Sequence, residues 1–184
     1  MFAVYLTLTR QRKEDTEKVR AAVRTEVTTY SKYVIGTLEI CKKVANGLQI
    51  SMSDAEYIGK NLIAPVIYPA VADRIGLLQR PQATIEFYMR IAEAKSNLAA
   101  MRVKVIGLPL AQSQMQNIQP ANAEVVADSL ITALQVARHI VADDDPSRTE
   151  MDIWIQKIML RDIDSALASA KLTFPNAESF KAPA

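Results

Sequence analysis

The chain of 184 residues has one cysteine, Cys41, and one histidine, His139. A single cysteine excludes a disulfide within the chain and is typical of a reducing compartment. The two residues together cannot supply the ligands of a conventional structural zinc site. No acid precedes His139 by three or four positions, which excludes the Glu-x-x-His pair of di-iron bundles. We therefore predict no metal, no cofactor and no catalytic residue, and we expect Cys41 to be a small core residue.

Glycine is scarce, with five residues, and β-branched residues do not form short alternating runs. Both features disfavour a sheet-rich fold. The net charge of +2 gives no overall attraction to nucleic acid, so we predict no nucleic-acid partner. The charge is uneven, because the part around 10–24 is basic and the part around 143–164 is acidic.

Long hydrophobic runs are missing as well, and the longest uncharged stretch at the front is residues 1–9. Nine residues are too few to span a bilayer, which needs about 20. In one interpretation this apolar helix end packs on the protein itself. In the other it contacts a membrane, or continues a longer anchor that lies upstream, and the basic residues after it mark the cytoplasmic side. The second interpretation assigns membrane contact to Phe2, Val4, Tyr5, Leu6, Leu8, Arg10, Arg12 and Lys13.

Apolar residues recur at steps of three and four along most of the chain, which predicts an all-α protein. We expect a helical bundle with a long N-terminal helix over 14–44, two short central helices over 53–62 and 65–76, and three further helices over 81–105, 122–142 and 147–172. Asn46-Gly47 predicts the end of the first helix, and Ser53 with Glu56 predicts a capping box. The corresponding division of the chain is a membrane-contacting end at 1–13, an N-terminal helical part at 14–107, a connector at 108–120, a C-terminal helical hairpin at 121–174 and a loose tail at 175–184.

Several of these helices carry an apolar stripe. The stripe of the helix over 122–142 consists of Val126, Leu130, Ala133, Leu134, Ala137 and Val141. The stripe of the first helix consists of Val19, Val23, Val27, Tyr30, Val34, Leu38, Cys41 and Val44, and it needs a partner face from later helices or from a second copy. In the last helix we expect Ile155, Ile158, Met159, Ile163, Ala166 and Ala170 to point inward. Trp154 either anchors a partner or closes the core, and the core is the favoured interpretation.

The segment PVIYPAVADRIGLL at 65–78, followed by FYMRIAEAK at 87–95, is the most distinctive part of the sequence. It could form a small polar pocket lined by Tyr68, Asp73, Arg74 and Tyr88. It could equally form a tight helical corner, with Gly76 in the left-handed conformation and Tyr68 packed on Tyr88. The corner is favoured.

These two motifs, preceded by a long helix rich in Val and Ala, resemble a group of small uncharacterised bacterial helical proteins. The resemblance covers roughly residues 10–100. Members of the group typically carry an N-terminal membrane segment followed by an Arg-rich start of a long helix, and this chain differs in having only nine apolar residues there. The resemblance implies a cytoplasmic protein associated with the inner face of a membrane.

Together these features predict a non-enzymatic interaction or scaffold module with a protein partner or self-association. A helical ligand-binding or sensor domain that uses the Tyr68–Tyr88 corner is the alternative. A hydrolytic or metal-dependent enzyme is disfavoured, because the usual groups of acids, His and Cys are missing.

Overall fold

A computed structural model describes residues 2–48, 50–51, 53–54, 57–58, 69–70, 72–106, 120–142 and 148–180, with no side chains described at 2–9, 73, 77, 99–106 and 120–121. Four α-helices account for most of this part of the chain: α1 (Phe2–Ala45), α2 (Pro81–Ile106), α3 (Pro120–Val141) and α4 (Glu150–Thr173). Two 3₁₀ segments lie at Ala72–Leu77 and Glu178–Phe180. No described residue lies in a strand, so the prediction of an all-α fold is confirmed.

The predicted number of six helices is not fully matched by the described part of the chain. The two short central helices fall mostly on positions outside the described residues, and where the chain is described near the second of them, residues 72–77 form a 3₁₀ segment. The connector at 108–120 also lies outside the description apart from Pro120, where α3 begins. The other three predicted helices match α2, α3 and α4 to within three residues at each end.

The apolar stripe of α1 is buried by the later helices. All eight of its residues are at most 7% exposed. They form one core with the inner faces of α2, α3 and α4, so the stripe is covered within a single chain. Burial of this many apolar side chains is the main favourable contribution to folding.

The relative directions of the helices follow from pairs of contacts. At one end of the bundle Lys42 Nζ donates to Ser169 Oγ at 2.5 Å. At the other end Asp152 has a pKa lowered mainly by hydrogen bonds from Thr149, and Arg24 lies close enough for its charge to add to this effect. These pairs place α1 and α4 parallel. Arg138 pairs with Asp164 at 2.6 Å, and Gln156 Nε2 donates to the Val141 carbonyl, so α3 runs antiparallel to α4.

Local capping interactions fix the helix ends. Gly47 has φ of 71°. The Leu48 amide donates to the Lys43 carbonyl and the Gly47 amide donates to the Val44 carbonyl, and these are the two hydrogen bonds of a Schellman motif. The predicted stop of α1 is therefore confirmed. The reciprocal capping bonds after it join Ser51 and Asp54, two positions before the predicted pair, whose Glu56 is outside the described residues. At α4 a capping box joins Thr149 and Asp152.

Residues 175–180 are held by hydrogen bonds and apolar contacts that the sequence does not indicate. The Ser179 amide donates to Asp128 Oδ1, and Gln135 Nε2 donates to the Ser179 carbonyl. Ala177 and Phe180 pack against the core. Residues 175–180, expected to be loose, are therefore held against α3, because polar side chains of α3 bind their backbone.

The expected left-handed conformation of Gly76 is wrong, since Gly76 lies in the 3₁₀ segment without a positive φ.

The close approach of Tyr57 to Gly36 in α1 gives a first prediction. A Cβ at Gly36 would lie 2.6 Å from Tyr57 Cζ, so Gly36→Ala forces the ring to move. In a Tyr57→Ala background the same substitution should stabilise the protein by about 1 kcal/mol, because alanine favours a helix interior over glycine. In the original chain this gain should be reduced or reversed. Urea unfolding of the four proteins measures the difference, and equal effects in both backgrounds would show that Tyr57 does not pack on Gly36.

Candidate functional site

We call the first turns of α1, residues 2–15, its extension. Residues 10–15 are all exposed, and Val19 is the first of the described side chains of α1 that lies in the core. Seventeen residues separate Phe2 from Val19, which corresponds to about 25 Å of helix. α1 therefore begins twelve residues before the helix predicted over 14–44.

The predicted membrane-contact residues all lie in this extension. Phe2, Val4, Tyr5, Leu6 and Leu8 are helical, but their side chains are outside the description. Arg10, Arg12 and Lys13 are exposed, and Arg10 forms a surface ion pair with Glu14 at 3.0 Å. An exposed pair of this kind contributes little to stability. The three basic side chains are therefore accessible from solvent, as membrane contact requires.

The residues of the predicted pocket have different environments. Arg74 is exposed on the 3₁₀ segment, while Tyr88 is buried in the core. Tyr68 and the side chain of Asp73 are outside the described residues, so their part of the pocket stays a prediction. The Tyr88 hydroxyl donates to Glu26 Oε2 at 2.5 Å, so its polar atom is occupied by α1.

Glu26 was not singled out from the sequence, yet it is the most unusual polar residue of the core. It is 7% exposed and accepts the Tyr88 hydrogen bond between α1 and α2. One turn further along α1, burial raises the pKa of Tyr30 to about 12, with contributions from the charge of Glu26 and from Tyr33. A buried carboxyl needs such partners, because an unpaired one would be costly. Glu26 lies between Val23 and Val27 of the apolar stripe, and this position is the one feature of the sequence that indicates its burial.

The start of α4 exposes large apolar side chains. Trp154, which was favoured as a core residue, is 59% exposed, and Met151, for which no position was predicted, is 63% exposed. Ile155, expected in the core, is exposed too, and Ile158 is half-buried. The inward face of α4 consists of the other four predicted residues, Met159, Ile163, Ala166 and Ala170. The interpretation of Trp154 as a core residue is therefore wrong, and the alternative of a partner anchor fits its exposure.

This exposed surface lies at the same end of the bundle as the extension of α1. Asp152, between Met151 and Trp154, has a lowered pKa because it accepts hydrogen bonds from Thr149, and the charge of Arg24 adds to the effect. α4 thus begins beside the part of α1 where its basic segment 10–24 ends. One end of the molecule therefore carries two distinct accessible surfaces.

Two further candidate residues, His139 and Cys41, lie far apart in exposure. His139 is exposed near the end of α3, and Cys41 is buried at 2% exposure. Among the described residues no three His, Cys, Asp or Glu side chains are grouped closely enough to hold a metal ion. No described helix has a segment that is long and apolar enough to cross a membrane.

Comparisons with protein families, with curated proteins and with solved structures found no match to this chain.

A second prediction concerns the buried hydrogen bond of Glu26. Tyr88→Phe should lower the free energy of unfolding by roughly 1.5–3 kcal/mol, because a buried carboxyl loses a hydrogen-bond donor. Tyr33→Phe, a half-buried tyrosine on α1, serves as the control and should change stability by much less. Urea unfolding followed by circular dichroism measures both. Equal losses in the two variants would contradict a special role for the Tyr88–Glu26 bond.

A third prediction concerns Cys41. Burial raises the pKa of its thiol to about 12, so at about pH 8 the folded protein contains almost no thiolate. In the unfolded chain the thiol returns to a pKa near 8.5 and reacts readily. We expect a thiol reagent such as dithionitrobenzoate to label Cys41 only as fast as the protein unfolds. Labelling of the folded protein at the rate of the urea-unfolded chain would contradict this.

Proposed function

We propose that this chain is a non-enzymatic helical interaction module held at the inner face of a bacterial membrane by the end of α1. The observation that carries the proposal is the exposure of residues 10–15, which include Arg10, Arg12 and Lys13 and directly follow a segment that is apolar in sequence. An end of this composition places apolar residues where they can enter the lipid boundary and positive residues beside the anionic headgroups.

Electrostatics supports a weak, salt-dependent contact. Each basic residue near an anionic surface contributes about 1 kcal/mol, which salt screens. Segment 10–24 holds six basic residues: Arg10, Arg12, Lys13, Lys18, Arg20 and Arg24. Three acids, Glu14, Asp15 and Glu17, offset part of this attraction. The charge of Arg24 is partly offset by the nearby Asp152. The proposed contact with anionic headgroups therefore depends mainly on the basic residues nearest the N-terminal end of α1.

The remainder of the molecule fits an interaction module because its core is complete within one chain, while apolar side chains stay accessible at the start of α4. Exposed tryptophan and methionine are enriched at protein interfaces. The proposal therefore assigns α1 to lipid and leaves α4 for a protein partner.

A fourth prediction tests the membrane contact with the full chain and vesicles of phosphatidylglycerol and phosphatidylcholine. The protein should co-sediment with these vesicles at low salt and much less at high salt. The triple variant Arg10→Gln, Arg12→Gln, Lys13→Gln should bind at least about tenfold more weakly, from about 1 kcal/mol for each lost charge. All three side chains are exposed, so melting temperature should not change.

The matched control changes charge with the opposite sign in the same exposed segment. Glu14→Gln with Asp15→Asn should strengthen sedimentation with anionic vesicles. Vesicles of phosphatidylcholine alone should bind all forms equally weakly. Equal binding of the original chain and both variants to anionic vesicles would refute the proposed role of the extension.

A further inference from the structure

The start of α4 presents an apolar stripe that no other described part of the chain covers. Met151, Trp154, Ile155 and Ile158 follow one another at steps of three, one and three, which places them on one face of the helix. This stripe lies about 100° around the helix from the buried face of Met159 and Ile163, at 3.6 residues per turn. Three of its four members are exposed and the fourth is half-buried. Adjacent exposed apolar side chains of this size mark an interaction surface.

The charged residues beside the stripe are ordered so that two antiparallel copies of α4 would place opposite charges against each other. Glu150 lies at the first position of α4, and Lys157 and Arg161 follow the stripe along the same flank. All three are exposed. Arg161 forms a surface ion pair with its neighbour Asp162 at 3.0 Å, and such an exposed pair can be replaced by another at little cost in free energy. Acid before the stripe and base after it is the pattern that two antiparallel copies of one helix would match.

We propose that the stripe is the contact surface of a homodimer, in which α4 packs antiparallel against α4 of a second copy. A two-fold axis between residues 155 and 156 brings Glu150 of each copy opposite Arg161 of the other, because the two residues are equally far from that axis. The same axis stacks the two stripes and removes Trp154 and Ile155 from water. Such a contact is isologous and closes on itself.

A second copy fits this surface better than lipid does. Glu150 and Asp152 are exposed acids directly beside the stripe, and they would be repelled by anionic headgroups. The contact rests on the proposed role as an interaction module, but it does not require the membrane contact of α1. The experiment is therefore carried out without lipid, so that failure of the dimer and failure of membrane binding are separate results.

Sedimentation equilibrium of the full chain over a range of concentrations measures the dimer. Glu150→Arg alone, or Arg161→Glu alone, should raise the dissociation constant about tenfold, because each places like charges at two equivalent positions. The double variant carrying both changes restores opposite charges across the axis and should return the dissociation constant to near its original value. A monomer at every concentration, or a double variant as weak as the single ones, would overturn the proposal. Melting curves of the dilute proteins check that the substitutions leave the fold intact.

Trp154 is the single tryptophan of the chain, so its fluorescence reports on this surface directly. Its emission should shift to shorter wavelength as the protein concentration rises, and Trp154→Glu should abolish dimerisation. Leu172→Glu is the matched control, because Leu172 is 86% exposed at the far end of the same helix. Dimerisation of this control should be unchanged, and its loss would overturn the assignment. A blue shift that appears only with vesicles and never with protein concentration would assign the surface to lipid and also overturn the dimer.

Discussion

The other three helices and the final 3₁₀ segment all pack against α3. Burial on α3 extends over more than one face, because residues that are adjacent in sequence, such as Val126 and Ala127, or Leu130 and Ile131, are both fully buried. Several of its buried positions are alanine, including Ala123, Ala133 and Ala137, and these small side chains allow neighbouring helices to approach closely. The long stripe of α1 packs mainly against α3, with further contacts to α4. α3 is thus the helix on which the arrangement of the bundle depends.

Polar groups within this core are satisfied in two different ways. The hydroxyls of Ser31, Thr37 and Thr84 donate to carbonyls four residues earlier in the chain, so these bonds require no other helix. Glu26 instead receives the Tyr88 hydroxyl from α2. Only the second kind of bond depends on how two helices are placed relative to each other. The Glu26–Tyr88 bond therefore favours one register of α1 against α2, which apolar contacts alone would specify less sharply.

The sequence predicts most of the helices because their periodicity is strong and local. It also predicts the inward faces of α1 and α3, since their stripes are long and unbroken. Near Trp154 the prediction fails because Ile153, Trp154 and Ile155 are all apolar, and the three-to-four spacing cannot decide which of them points inward. The stripe of α1 does not reach residues 10–15, because an exposed part of a helix needs no apolar side chains. Glu26 was missed because its partner lies 62 positions away, and no local pattern connects them.

The uninterrupted course of α1 has a mechanical consequence. A helix of 44 residues without proline joins the exposed basic turns to the buried stripe through a continuous ladder of backbone hydrogen bonds. The orientation of the first turns about the helix axis is therefore fixed relative to the buried stripe. Insertion of a single residue between Glu14 and Lys18 would leave the core untouched while turning the outer end by about 100° relative to the body. The direction in which that end faces is set by the number of residues between it and Val19.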